Sequence, residues 1–458
     1  MSEPSDPHNR ATSWRNWAGD VRCAPAQFER PASTQELSAA LLRAAERGLK
    51  VRVAGAGHSF GDIACTDGMM ISLERLDGVL EVNRPARRVR VQAGITIHDL
   101  SLHLAEHGLA LENLGDIDVQ SIAGAISTAT HGTGARAGNI ASQVQALTLV
   151  LADGSTLECS AERDVETFRA ARVGLGSLGV VAEVTLRCVP AFTLHGIDAP
   201  APLQDTLDRF EEISLANEHF EFFVFPHCDT ALTRTNNRTA APARPRGRAA
   251  AYLNDIVLTN HAFGLLCRVG RRWPDRIPAI NRLVTRLAGS SERVDRSDEI
   301  FASPRLVRFT EMEYALPRAD TAEAVRRVLE MIERRGFAVP FPIEVRTVAG
   351  DDAFLSTAAG RDSGYVAVHM FEGMAWEPYF RAVEEIMDSL DGRPHWGKRH
   401  FQTAETLGAR YPDWERFKAV RARLDPQGRF ANAWTERVLG PIGSATAKHP
   451  HTAEANDA

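Results

Sequence analysis

The chain has 458 residues, 24% of them charged and 44% hydrophobic, with a formal net charge of -6. This is too long for one ordinary core, has the composition of a globular protein, and is too acidic to give reason to expect a nucleic-acid partner. No apolar run approaches the roughly 18 residues of a membrane span, and "MSEPSDPHNR" lacks the basic-then-apolar order of a signal peptide. The six cysteines form no CxxC pair, so the expectation is a cytoplasmic protein with reduced thiols.

In chain order, "STQELSAALLRAAERG" predicts a helix. It carries a capping box of Ser33 with Glu36, an apolar stripe of Leu37, Leu41 and Ala44, and a terminal Gly48. A strand at Val51 to Val53 leads into "AGAGHSF", where Gly55 and Gly57 precede His58. "MMISL" and "RRVRVQAG" read as strands, and "TIHDLSLHLAEHG" as a helix ended by Gly108. The stretch "LENLGDIDVQSIAGAISTATHGTGARAGN" has no period. "VQALTLVLADGSTLECS" predicts a hairpin around Asp153-Gly154. A helix follows near "VETFRAAR", and "GVVAEVTLRCV" is a strand. Residues 15–193 therefore lack the βαβ alternation of a doubly wound sheet and read as α+β.

A second α+β region is expected over 194–440. "HFEFFVFP" and "VRFTEMEYAL" are strands, and residues 236–251 read as a solvated basic loop. "TAEAVRRVLEMIERRG" is a helix with Val325, Val328, Leu329 and Ile332 on one face and Gly336 at its end. "FPIEVRTVA" and "GYVAVHMF" are strands, and "YFRAVEEIMDSL" a helix. Residues 441–458 are expected to be a disordered tail.

"GLGSLG", Gly174 to Gly179, matches the dinucleotide-binding string. That fingerprint requires a strand before it and a helix after it, and here the order is reversed, so it reads as a glycine turn entering a strand. Four other stretches carry chemistry, each with two readings. His58 is either a structural loop histidine or a ring nitrogen presented to a flat, phosphate-bearing cofactor. "SIAGAISTATHGTG" is either a packed small-residue turn or a backbone lying against a ligand, with Thr128, Thr130 and Thr133 as donors. In "PIEVR", Glu344 and Arg346 share a strand face turned either to water or to a polyhydroxylated substrate. "RPHWGKRH" gathers His395, Trp396 and Lys398 in a loop, either as a basic surface or as part of a site. No His/Cys pair has metal-ligand spacing, so no metal is expected.

Taken in order, GxGHSF, ATHGTG, E-x-R and P-H-W-G-K resemble the landmarks of the aldonolactone branch of the vanillyl-alcohol oxidase type of flavoproteins. The resemblance runs over residues 15–440, to "LDPQGRFAN". It implies a two-subdomain FAD-binding domain of that type at 15–193, followed by a substrate or cap domain with a largely antiparallel sheet, whose C-terminal segment returns to the flavin. It implies FAD bonded covalently to His58. Val53, Ala54, Gly55, Ala56, Gly57 and Ser59 would hold the pyrophosphate. Ser121, Gly124, Thr128, Ala129, Thr130 and His131 would cradle the cofactor, with Gly115 and Asp116 beside the flavin and Val181 near the adenine. Glu344, Arg346 and Lys398 would meet the substrate, a sugar lactone or polyol. The implied reaction is oxidation of L-gulono-1,4-lactone or a close relative at a secondary hydroxyl, with oxygen or a cytochrome- or quinone-type acceptor taking the electrons. The alternative within the family is an alditol oxidase releasing hydrogen peroxide. Alditol oxidases carry Ala-Ser where this chain has Gly115-Asp116; the resemblance implies that Gly115 leaves oxygen a route to the flavin and that the Asp116 carboxylate fits a lactone better than a linear polyol. A carbohydrate-binding protein without turnover is the rival from another class.

Overall fold

The computed structural model describes residues 13–247, 249 and 252–442. Helix α1 (Thr34–Glu46) starts at Ser33, whose Oγ accepts the Glu36 N–H at 3.1 Å. The Glu36 carboxylate accepts from the Ala32 N–H at 2.8 Å, one residue before the cap. Leu37, Leu41 and Ala44 are fully buried. Gly48, at φ +68°, turns the chain into a strand. A parallel sheet follows from β1 (Gln27–Glu29), β2 (Val51–Ala54) and β3 (Met69–Ser72), in the order β1-β3-β2.

The next sheet is antiparallel. It is built from β4 (Val79–Asn83), β5 (Arg88–Gln92), β6 (Val144–Val150), β7 (Thr156–Ser160) and β8 (Val180–Arg187), ordered β7-β6-β8-β5-β4. Around it lie α2 (Ile97–Glu106), α3 (Ile122–Ser127) and α4 (Val165–Ala171). The stretch expected to lack periodicity contains α3. Its six residues are too few to show a period, but Ser121 caps it, with Oγ accepting the Gly124 N–H at 3.3 Å. The glycine turn at 174–179 does lie between α4 and β8, helix first and strand second.

An eight-stranded antiparallel sheet forms the rest. Its strands are β9 (Thr193–Pro202), β10 (His219–Val224), β11 (Thr230–Thr239), β12 (Ser291–Arg296), β13 (Phe309–Pro317), β14 (Ile343–Val348), β15 (Ser363–Phe371) and β16 (Arg393–Pro394). They are ordered β12-β9-β11-β10-β14-β15-β13-β16. The loop expected from residue 236 is corrected here. Asn236–Thr239 complete β11, pairing with Thr193–Gly196 of β9, because backbone pairing outweighs their low strand propensity. Further helices are α5 (Phe263–Arg272), α6 (Ile277–Leu287), α7 (Thr321–Arg335), α8 (Glu377–Asp388), α9 (Trp414–Leu424) and α10 (Ala433–Leu439). Helix α7 buries Val325, Val328 and Ile332 and ends at Gly336, φ +66°. The tail expected to be disordered lies, from residue 443, outside the described residues.

Two main apolar clusters result. One joins residues between Leu37 and Cys188 to Trp396, Tyr411, Trp414, Phe430 and Trp434 from the C-terminal segment. The other joins Met312, Tyr314, Val345, Val366 and Val368 of the large sheet to α7 and α8. Because side chains alternate along a strand, the opposite face of the large sheet carries Glu311, Glu313, Glu344, Arg346 and His369, and all five are buried. That polar face is covered by the first region: the Gly134 N–H donates to Thr347 O at 2.7 Å, and Thr133 Oγ1 donates to Phe220 O at 2.5 Å.

Candidate active site

A cavity of about 270 Å³ lies between the β2 loop, the start of α3 and the turn before β8. Val53, Ala54, Gly55, Ala56, Gly57, His58, Ser59, Ser121, Gly124, Thr128 and Val181 line it, as do Leu175, Gly176 and Gly179 of the glycine turn. A β-carbon on Gly55 would sit 2.8 Å from Ser121 Oγ, so the two loops can approach this closely only with glycine there. Arg52 fastens the walls. Its guanidinium donates to Ile63 O, Leu175 O, Gly176 O and Phe430 O at 2.8–3.0 Å. Walls of small side chains that leave backbone and hydroxyls facing inward suit an extended phosphate-bearing cofactor such as FAD.

His58 forms one end of the wall. Its ring stacks on Trp17 at 5.3 Å, and the Trp17 N–H donates to Gly57 O at 2.7 Å. Burial and the Lys398 charge push its imidazole down to about 4, with Asp116 opposing. The ring is therefore neutral at neutral pH. The Phe60 N–H donates to Gly397 O at 2.8 Å, which ties this loop to the late "HWGK" loop.

The late loop runs along β13, with the His395 N–H donating to Glu313 O and the Arg399 N–H to Glu311 O, both at 2.9 Å. This sets Lys398 Nζ on the Glu311 carboxylate and 5.1 Å above the Phe60 ring. Burial alone would lower the Lys398 pKa, but Glu311 and Glu313 outweigh it and raise it. On β14, Arg346 pairs with Glu344, donates through Nε to Glu221 at 3.0 Å and lies 3.4 Å from Asp116. His369 stands opposite Glu311 in the β13–β15 register and lies 3.6 Å from it and 3.9 Å from Glu344.

Asp116 is held by Arg305 as well as Arg346; burial would raise its carboxyl, yet these two cations bring it well below the usual range. Glu344 behaves oppositely. Burial pushes it up to about 7, opposed by Arg346 and reinforced by Asp116 and Glu221.

Glu344, Arg346 and Lys398 are thus brought together, and Asp116 joins them. Gly115, Asp116, Ala129, Thr130 and His131 lie outside the cavity lining. His131 Nε2 is 3.2 Å from Glu313, and its ring lies 3.8 Å from that of Tyr365. Thr130 Oγ1 is buried with no hydrogen-bond partner among the described residues. Sequence reasoning missed Glu221, Arg305, Glu311, Glu313 and His369. The alternation in "TEMEYAL" that puts Glu311 and Glu313 on one face was the available signal for two of them.

The raised Glu344 carboxyl has a consequence for stability. A carboxyl that titrates at about 7 when folded, against an ordinary 4.5, binds its proton more tightly in the native state. Its contribution is complete below 4.5 and is lost as pH rises through 7. Glu344→Gln is therefore expected to flatten the fall in Tm between about pH 5 and about pH 8. Parallel Tm–pH curves for the two proteins would contradict it.

A buried carboxylate–guanidinium pair with a half-buried ammonium, near a cavity lined by glycines and hydroxyls, is the arrangement expected of a flavin-dependent oxidoreductase of alcohols. Two family profiles match: FAD binding domain over residues 25–160 and D-arabinono-1,4-lactone oxidase over 184–438. The chain belongs to the D-arabinono-1,4-lactone oxidase family of FAD-dependent oxidoreductases acting on CH–OH groups, with the α+β fold of the vanillyl-alcohol oxidase type. It is 51% identical over 428 residues to L-gulono-1,4-lactone dehydrogenase of Mycobacterium tuberculosis, covering 93% of this chain and 99% of that one. It is 36% identical to L-gulonolactone oxidase of Bos taurus (94% and 99% covered) and 32% identical to alditol oxidase of a Streptomyces species (94% and 99%). The structure of cholesterol oxidase from B. sterolicum shares the fold, with a TM-score of 0.80 at 18% identity over 96% of this chain and 99% of that one. Among the described residues no helix is long and apolar enough to cross a membrane.

Proposed function

We propose that this protein oxidises a secondary hydroxyl of L-gulono-1,4-lactone or a close aldonolactone, in the cytoplasm. In this reading residues 15–193 hold FAD and 194–440 hold the substrate. The observation that carries it is the buried Glu344–Arg346 pair with the half-buried Lys398, whose loop is tied to the β2 loop by the Phe60–Gly397 bond. Bound FAD supplies the acceptor for the hydride leaving the carbinol carbon. Glu344, titrating near neutrality, takes the hydroxyl proton on its carboxylate. Arg346 and Lys398 stay cationic, hold the substrate oxygen and stabilise the negative charge that develops.

The lactone reading predicts turnover of L-gulono-1,4-lactone at least ~10-fold above that of xylitol in kcat/KM. It is measured once with a dye as acceptor and once by oxygen uptake, which also separates a quinone- or cytochrome-type acceptor from oxygen. Xylitol as the better substrate, with hydrogen peroxide released, would establish the alditol oxidase instead.

His58 tethers the cofactor in this reading. Its neutral ring at the cavity wall, held against Trp17, is the form with a nucleophilic nitrogen. Acid precipitation is expected to carry the yellow colour into the pellet, and His58→Ala to release it to the supernatant. Colour in the supernatant of the unaltered protein would remove the tether while leaving FAD in place.

A further inference from the structure

We propose that His369 is the positioning partner of Glu344, holding beside it the proton that Glu344 must lack when the substrate hydroxyl arrives. This rests on the reading of Glu344 as the base. The Pro342 carbonyl, which can only accept, lies 3.2 Å from His369 Nδ1. That nitrogen therefore keeps its hydrogen, and Nε2 is the atom that gains or loses one. Nε2 points between carboxylates on the two strands that flank its own, 3.6 Å from Glu311 Oε1 on β13 and 3.9 Å from Glu344 Oε2 on β14.

The other oxygens of both carboxylates are taken. Glu311 Oε2 receives Lys398 Nζ, and Glu344 Oε1 receives Arg346 Nη2. One imidazole thus joins two ion pairs into a single chain, Lys398–Glu311–His369–Glu344–Arg346, across three strands and the late loop. The ring is held in place: Phe309 meets it edge-on at 5.1 Å and Phe341 stacks on it at 5.9 Å. Ala367, opposite Glu344 in the β14–β15 register, puts only a methyl group directly across from the carboxylate.

Charge decides where the proton rests. Burial disfavours an imidazolium and Lys398 opposes it, but Glu311 and Glu344 outweigh both and raise the His369 pKa above its ordinary value. For Glu344 the converse holds. Burial, Asp116 and Glu221 favour its neutral form, whereas Arg346 and the His369 cation favour the carboxylate. A proton on Nε2 and a proton on Glu344 give the same total charge, so the pair holds one proton in either place without changing the net charge of the site. With that proton on His369, Glu344 Oε2 is open. The substrate O–H bond breaks, an O–H bond forms on Glu344, and His369 keeps its own proton throughout.

The test compares His369→Gln with the parent in two readouts. Infrared difference spectra of the flavin-loaded protein, taken between about pH 5 and about pH 9, follow the protonated carboxyl bands, and the one missing in Glu344→Gln belongs to Glu344. In His369→Gln the midpoint of that band is expected to rise by about one pH unit. The acid limb of kcat/KM for the lactone should move up with it, so that activity falls at least ~10-fold on that limb and far less on the alkaline plateau. A band that stays at the parental pH overturns the proposal, whatever happens to activity, since His369 then serves packing alone. A band that moves while the limb stays put supports the pair and removes Glu344 as the base, so the two readings fail separately. Should His369→Gln not fold, nitrogen NMR of the histidine-labelled parent decides: a His369 ring protonated on both nitrogens at neutral pH supports the pair, and a neutral ring there overturns it.

Discussion

Arg346→Lys is expected to lower kcat/KM for the lactone by roughly two to three orders of magnitude, although charge is conserved. The guanidinium serves three carboxylates at once: Glu221 through Nε, and Asp116 and Glu344 through Nη2. A planar fork spans those directions, whereas one ammonium on a flexible stem cannot. Arg346→Ala goes further, leaving the buried Glu221 and Glu344 and the half-buried Asp116 without their shared cation. Loss of one partner from a buried pair costs about 3–5 kcal/mol, so a lower Tm accompanies the loss of activity. Steady-state kinetics with a dye acceptor, run beside thermal melts, separates the effects: the lysine variant loses activity with a small change in Tm, and the alanine variant loses both. A lysine variant within about threefold of the parent would refute the assignment of Arg346 to the reacting oxygen.

The part of this site legible in the sequence is the part whose side chains sit close together along the chain. Glu344 and Arg346 are two residues apart on one strand, and His58 and Lys398 stand in loops of unusual composition. Glu311 and Glu313 have the same spacing as Glu344 and Arg346, yet two like charges on alternate strand positions read as a face turned to water. They become part of the site only because the first region covers that face, which the Gly134–Thr347 contact shows and strand periodicity does not. Glu221 and Arg305 belong to separate segments that converge on Arg346 and Asp116, and nothing local marks them. The "GLGSLG" turn illustrates the reverse case. Its order rightly excluded a nicotinamide-type Rossmann fold, but Leu175, Gly176 and Gly179 still line the cavity, the first two with their carbonyls held by Arg52. The α+β class followed from the missing βαβ alternation and the largely antiparallel sheet from the family resemblance, while α3 was too short to be seen.

Lys398→Met should reduce kcat by about 10²–10³-fold while changing KM much less, since the methionine keeps the length of the stem and removes the charge that opposes the developing anion. The ammonium is fixed by position rather than by sequence alone. The 395–399 loop follows β13 by two backbone bonds, and Glu311 takes the Nζ end. Glu311 therefore acts through Lys398 and carries its own signature. Burial pulls the lysine pKa down and the Glu311 carboxylate does most to raise it, so in Glu311→Gln the pKa falls. If activity requires the ammonium form, the alkaline limb of the kcat profile must then move to lower pH, which a merely structural glutamate would not cause. Lys398→Met, having no ammonium to titrate, should lose that limb altogether. An unshifted limb in Glu311→Gln, or near-parental kcat in Lys398→Met, would show that the substrate oxygen is stabilised by Arg346 alone.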